Sequence, residues 1–347
     1  MVLDNAPDYR EVFFRELARR VELTVVAQPC FQDNLDPPKQ RGDYTYIEIP
    51  TRRLAGMYWQ PGLRTILRSR EWDVACIGVN FRQLARLFLF LTAPASRDAW
   101  VWRGLIYGRS ENRLLRGVRA WFLRRGAGCL VYSDAVRDRL QRDHGIAAVS
   151  FNNSEVRREE FRAATYDRSR GGLRLLFVGR NTPRKRVDRL VALAERHDDV
   201  HVRLVGPGME DVQLAGTPDI RERVRIYGKT TGHRLDEHFD WADLVANPGH
   251  AGLLVTNAAR HGKGIVIDSE SAHAPEYRLA EEANQPFIRF SDRRAVDRFV
   301  QSVRDDRSQL RAWAEELQAV AKTRYTVEYM VDKHVELFEA VAASRNR

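Results

Sequence analysis

The sequence has few cysteines, and none is spaced for chemistry. Cys30, Cys76 and Cys129 show no C-x-x-C pairing, which sets aside dithiol redox motifs and cysteine-rich zinc sites. Cys76 and Cys129 lie in apolar, strand-like runs and read as buried reduced thiols, the state expected in the cytosol. Long hydrophobic runs are lacking too: the strongest, LARLFLFLTAP at 84–94, is too short to span a bilayer. The first residues, MVLDNAPDYREV, hold no signal-peptide core. Several fingerprints of nucleotide and hydrolytic chemistry are missing as well. There is no G-x-G-x-x-G after a first strand and no G-x-x-x-x-G-K-[ST]. No two aspartates stand two residues apart, so a D-x-D metal clamp is absent, and neither H-E-x-x-H nor G-x-S-x-G occurs. Dinucleotide dehydrogenases, P-loop enzymes, zinc hydrolases and serine hydrolases lose ground together. No metal site and no cofactor are expected.

What is present is a 347-residue chain with a formal net charge of +10, long enough for two ordinary domains. The charge points to an anionic partner without choosing among nucleotide, membrane surface and nucleic acid. Strand-like runs alternate with amphipathic helical stretches, the pattern of a doubly wound α/β protein. The first half reads as a helix near 8–20 and strands at 23–27, 74–79, 100–103, 129–132 and 147–151. The stretch TYDRSRGG at 165–172 has linker composition. Strands at 173–178, 201–205, 223–227, 243–246 and 264–268 follow. Helices near 308–322 and 326–343 close the chain.

The richest segment is LRLLFVGRNTPRKRVDRLVALAE, 173–195. Its apolar run reads as a strand buried on both faces. Gly179 permits a sharp turn, Thr182 is placed to cap the next helix, and Pro183 suits that helix's first position. A helix N-terminus favours anions, and Arg180 with Lys185 would complete a phosphate or diphosphate seat. A second strand–loop–helix unit follows in ADLVANPGHAGLLVTNAARHGKGIVID, 242–268. Gly249 and Gly252 bracket the start of its helix and leave room for a ligand near the backbone, and Gly262 stops the helix. Each unit also has a plainer reading, as an ordinary connection with solvated basic residues or a packing helix with a flexible entry.

These segments resemble the retaining GT-B glycosyltransferases, specifically glycosyltransferase family 4. FVGRNTPRKRVDRLV resembles that family's strand, Gly-Arg turn and lysine, LVGPGME its next strand and glycine loop, and VRIYGKTTGHRLDEHFDWADLVANPG the run to the donor site. The resemblance implies two Rossmann-like domains facing each other across a cleft. The divisions are 1–165 on the acceptor side, 172–325 for the nucleotide-sugar donor, and 326–347 as a last helix crossing back to the first domain. It places Arg180 and Lys185 on the donor diphosphate, next to Gly179, and Gly228, Lys229 and Thr230 near the nucleotide base. The family's paired glutamates would fall at Gly249 and Asn257. Asn257 keeps the capacity to bond a ribose hydroxyl, while His250, His273 and Glu276 are the candidates for holding the sugar. Arg103, in Trp102-Arg103-Gly104, would serve an anionic acceptor or phosphate.

The resemblance thus implies metal-independent, retaining transfer from a nucleoside-diphosphate sugar to a saccharide or lipid-linked acceptor, as in polysaccharide synthesis. The missing glutamates leave two alternatives: a nucleotide-sugar-binding protein without transferase activity, or an epimerase or phosphorylase on the same fold. In ENRLLRGVRAWFLRR, 111–125, Leu114, Leu115, Val118, Trp121 and Phe122 share a helical stripe with arginines around it. It reads either as a core helix or as a peripheral membrane contact. A cytoplasmic protein, at the inner face of the membrane if that contact is made, is expected, and no nucleic-acid partner.

Overall fold

The computed structural model describes residues 1–30, 36–69, 71–104, 113–164, 171–214 and 218–345. The chain divides into two compact units, Met1–Glu155 with Val327–Arg347, and Val156–Thr326. Residues 165–170 of the linker-like stretch lie outside the described residues.

The first unit contains strands β1 (Thr24–Ala27), β2 (Thr45–Glu48), β3 (Arg52–Leu54), β4 (Met57–Trp59), β5 (Ala75–Gly78), β6 (Trp100–Gly104), β7 (Gly128–Val131) and β8 (Val149–Ser150). β5-β6-β7-β8 form a parallel sheet, β1 pairs parallel with β2, and β3 and β4 make a separate antiparallel hairpin. Val2 joins the two parallel pieces by bridging to both Val26 and Ile77, with Val2 N–H bonded to the Cys76 carbonyl at 2.8 Å.

Alternation along β6 sends Trp100 and Trp102 to one face and Val101 and Arg103 to the other. The tryptophans pack with Phe90 and Phe122. The opposite face is covered by helix Glu11–Ala18 and helix Val327–Arg345. The second of these buries Val327, Met330, Val331, His334, Val335, Phe338 and Val341, a stripe at helical spacing.

The second unit is a six-stranded, wholly parallel sheet of β9 (Leu173–Val178), β10 (Val200–Val205), β11 (Val224–Tyr227), β12 (Leu244–Asn247), β13 (Ile265–Asp268) and β14 (Phe287–Ile288). Its order is β11-β10-β9-β12-β13-β14. The winding direction therefore reverses between β9 and β12, and ligands of such sheets bind at the carboxyl ends of the strands flanking that reversal. The buried strands coincide with the apolar runs of the sequence. The strands not anticipated, β2, the β3–β4 hairpin and β14, are short and only partly buried.

The helix at Arg113–Arg124 corrects the stripe expected there. Ala120, Phe122 and Leu123 are buried, whereas Val118 and Trp121 are 44% and 38% exposed. The buried face is rotated from the one expected, and Trp121 instead carries the Arg125 guanidinium 3.9 Å above its ring. The Leu114 and Leu115 side chains, with residues 111–112, lie outside the described residues. All three cysteines are buried and unpaired. Among the described residues no helix is long and apolar enough to cross a membrane.

His334 lies at the centre of the first unit's helix-covered face, its ring 4.8 Å from those of Phe13 and Phe151. Burial, reinforced by nearby Arg103, holds it well below the usual histidine range. His250, His261 and His273 are lowered by burial as well. An unfolded histidine titrates near ~6.5, so the unfolded chain takes up more protons once the pH falls below that value. Stability should then decline, by up to about 1.4 kcal/mol per pH unit for each such histidine. Urea unfolding is expected to show a lower midpoint at pH 5.5 than at pH 7.5; a constant midpoint would contradict neutral burial of these rings.

Candidate functional site

The turn after β9 is set by a backbone approach. Gly206, following β10 at φ +141°, comes so close that a Cβ on it would stand 2.0 Å from the Gly179 carbonyl oxygen. Gly179 N–H bonds the Val205 carbonyl at 2.9 Å, and Asn181 N–H the Pro207 carbonyl at 2.9 Å. The next residues depart from expectation. Pro183–Lys185 is a single 3-10 turn, Thr182 makes no side-chain cap, and the α-helix begins only at Asp188. Arg186 at φ +52° interrupts any continuous helix from Pro183. No α-helix terminus therefore faces an anion at Pro183, and the positive charge here comes from side chains.

The loop after β12 packs directly on this turn. His250 N–H bonds the Arg184 carbonyl at 2.9 Å, and Lys185 Nζ donates to the His250 carbonyl at 2.7 Å. A Cβ at Gly249 would meet the Arg184 carbonyl oxygen at 2.4 Å and that of Lys185 at 2.7 Å. The two segments singled out in the sequence are thus one structure, seated where the sheet order reverses.

A buried ion pair ties the same loop to β13. Arg189 Nη1 donates to the Pro248 carbonyl at 2.8 Å and stands 2.9 Å from Asp268 Oδ2. Asp268 also accepts from Ser271 Oγ at 2.6 Å and from Phe290 N–H at 3.1 Å. Sequence reasoning missed Arg189 and Asp268. The available signal was a carboxylate closing an apolar strand at the carboxyl edge.

The remaining candidates differ in how they meet this loop. His273 Nδ1 accepts from Ala251 N–H at 3.1 Å, its Nε2–H donates to the Asp268 carbonyl at 2.8 Å, and His250 Nδ1–H donates to the Ala272 carbonyl. Both histidines thus shape the loop. Glu276 is buried in the turn Pro275–Tyr277, close enough for its charge to act on Lys185. Burial, with Arg184 adding repulsion, outweighs that carboxylate and lowers Lys185 to about 8. Asn257 is half-buried on helix Leu254–Arg260, its Nδ2 bonded to the Leu253 carbonyl at 3.3 Å. Arg180 is exposed on the turn.

Gly228, Lys229 and Thr230 follow β11, two strands from β9 at the sheet margin. Arg103 belongs to the first unit. A cavity of about 430 Å³ beside the turn is lined by Thr182, Arg186, Asp188 and Glu195 rather than by Arg180 or Lys185. Its two carboxylates make it a poor seat for a diphosphate. Among the described residues no cluster of three or more metal-ligating side chains occurs.

Gly249→Ala is expected to push the loop off the turn, costing about 2–3 kcal/mol, whereas a methyl at Gly252 would meet only Ala274 Cβ at 3.7 Å and cost less than about 0.5 kcal/mol. Equal urea midpoints for the two variants would contradict this packing.

No family profile matches the chain. Over 187 residues, 52% of the chain, it is 27% identical to a GDP-mannose-dependent alpha-mannosyltransferase of Mycolicibacterium smegmatis, a stretch that covers only 45% of that protein. Among solved structures it is similar to Anabaena Alr3699/HepE in complex with UDP, with a TM-score of 0.69, 15% identity and 98% of each chain covered. It is also similar to the sucrose-phosphate synthase of Thermosynechococcus elongatus, with a TM-score of 0.66, 12% identity, and 96% and 92% covered. The chain has the fold of the GT-B glycosyltransferases.

Proposed function

We propose that the protein is a glycosyltransferase moving a hexosyl group from a nucleoside-diphosphate sugar to a saccharide or lipid-linked acceptor, with the second unit taking the donor. The observation that carries the reading is the union of the Pro183–Lys185 turn with the Pro248–Gly252 loop at the reversal between β9 and β12. The similarity to HepE, whose structure holds UDP, supports it.

The chemistry asks for stabilisation of a leaving group. As the bond between the anomeric carbon and the diphosphate breaks, negative charge grows on phosphate while the sugar becomes oxocarbenium-like. Fixed cations aimed at that charge supply several kcal/mol. Lys185 has three N–H donors, one held by the His250 carbonyl, leaving two for a phosphate. Arg180, on the same turn, provides a second cation. The acceptor hydroxyl forms the new bond on the face the phosphate leaves, and its proton passes to the departing phosphate, so configuration is retained and no metal is needed. Glu276, buried beside Lys185, supplies a carboxylate that position 249 lacks, and Asn257 faces the ribose.

Arg180→Ala and Lys185→Ala are each expected to lower kcat/KM at least ~100-fold, the first with unchanged melting temperature and the second with a modest drop from losing the bond to the His250 carbonyl; wild-type rates in either would remove the reading. EDTA should leave turnover intact. Stabilisation by UDP or GDP in a thermal-shift panel of nucleotides, followed by sugar transfer, supports a transferase. Binding without any product would favour the non-catalytic alternative. Because Lys185 loses its proton as pH rises through about 8, nucleotide affinity should fall above that pH, and Lys185→Arg should flatten the profile. An unchanged wild-type affinity from pH 7 to 9.5 would contradict the role of Lys185.

A further inference from the structure

The first unit holds a separate cavity of about 300 Å³, opening where β5 and β6 end and lined in part by Asp4, Tyr9, Arg10, Arg103, Gly104 and Tyr132. Arg103 is only 3% exposed. Its Nε donates to His334 Nε2 at 2.9 Å, and His334 Nδ1–H donates to the Met330 carbonyl at 2.6 Å. That pair of bonds fixes a neutral imidazole, so the side chain receiving from Arg103 carries no compensating charge. The guanidinium carbon lies 4.6 Å from the Phe151 ring centroid and 5.7 Å from those of Phe13 and Tyr132. Its Nη2 is buried with no hydrogen-bond partner. Arg10 repeats the pattern: Nη2 donates to Tyr132 Oη at 3.1 Å, while Nη1 is buried without a partner.

These two cations are close enough to repel each other. Asp4 is the one carboxylate among the described residues lining the cavity, and it is committed elsewhere. Arg86 Nη2 stands 2.9 Å from it, and Asn80 Nδ2 and Gln83 Nε2 donate to it at 3.0 and 3.2 Å. Buried charges are normally paired, and aromatic faces offset only part of the desolvation of a guanidinium. Two unsatisfied N–H groups from neighbouring guanidiniums, with a phenol between them, form a donor set suited to a planar or tetrahedral oxyanion.

We propose that this cavity binds the anionic group, carboxylate or phosphate, of a small polar molecule. Identifying that molecule as the acceptor rests on the glycosyltransferase reading; the anion site itself does not. The cavity is at the small end of ligand pockets, which suits a monosaccharide-sized ligand. In the proposed reaction Arg10 and Arg103 would bind substrate, and His334 would be a positioning residue acting through Arg103.

The test uses the full chain carrying Arg180→Ala and Lys185→Ala, so that the other cationic edge is weakened, with glucose 6-phosphate, glucuronate and glucose as probes. Thermal shift and titration calorimetry should show binding of glucose 6-phosphate, of glucuronate, or of both, and none of glucose. Which anion responds distinguishes phosphate from carboxylate. Adding Arg103→Gln or Arg10→Gln should weaken that binding at least tenfold. Arg10 is the more exposed of the two, so its variant keeps the test open if Arg103→Gln does not fold. Equal response to glucose, no response to any probe, or full binding in the Arg10→Gln chain would overturn the proposal. In the otherwise wild-type chain, Arg10→Gln should leave the UDP or GDP shift unchanged. Absence of any nucleotide response, with anion binding intact, would remove the transferase reading and leave the site standing.

Discussion

The carboxyl edge of the second sheet depends on one contact that admits no side chain: the approach of Gly249 to the backbone of Arg184 and Lys185. Around it, the bonds from His250 N–H to Arg184 and from Lys185 Nζ to His250 turn two loops into one rigid surface. The Arg189–Asp268 pair secures that surface from below, because one guanidinium nitrogen reaches both the loop carbonyl at Pro248 and the carboxylate at the end of β13. Asp268 in turn fixes the chain beyond β14 through Phe290 N–H. Losing Arg189 would leave Asp268 charged and buried without its cation, a change that typically costs about 3–5 kcal/mol. The ion pair is therefore a device for position more than for net stability.

Much of the architecture was legible because parallel strands covered on both faces must be short and apolar. Leu173–Val178 and Ile265–Asp268 could hardly be read otherwise. The strands that escaped notice lack that signature. Thr45–Glu48 borders the sheet with its ends exposed, Phe287–Ile288 is two residues long, and Val2 takes part through single bridges on either side. The turn at Pro183 shows a different limit. Proline followed by basic residues fits the first turn of an α-helix and a 3-10 turn equally well. What decides between them is the left-handed Arg186, where local preference gives way to the packing of the loop from β12.

The candidate site was legible only in part, for the same reason. Lys185 and Gly249 stood out through local pattern, but their meeting is tertiary. His273 is a polar residue near a glycine-rich loop, and only the fold shows its two nitrogens bonded to the backbone at Ala251 and Asp268. Arg189 is one of many arginines on amphipathic helices, and nothing local separates it from its solvated neighbours. The rotated helix at Arg113–Arg124 teaches a related point: a stripe of large apolar residues yields to whichever arc packs best, here the one containing Ala120 and Leu123.

The two units handle buried cations by different chemistry. Lys185 is desolvated and repelled by Arg184, with Glu276 opposing, so it keeps its proton only up to about pH 8. An ammonium in that condition gains from an anion placed against it, because part of its desolvation is made before the ligand arrives. Arg103 has no comparable freedom, since a guanidinium stays charged even when burial lowers its affinity for the proton. It is therefore surrounded by what makes a permanent cation tolerable, namely three aromatic faces and a neutral imidazole locked to a helix carbonyl. Both proposed ligands arrive charged, but the diphosphate would gain further charge as the sugar leaves, whereas the anion in the first unit would keep the charge it brings. In the proposed reading, the growing charge on the diphosphate would meet Lys185 in the second unit and the constant charge would meet Arg103 in the first.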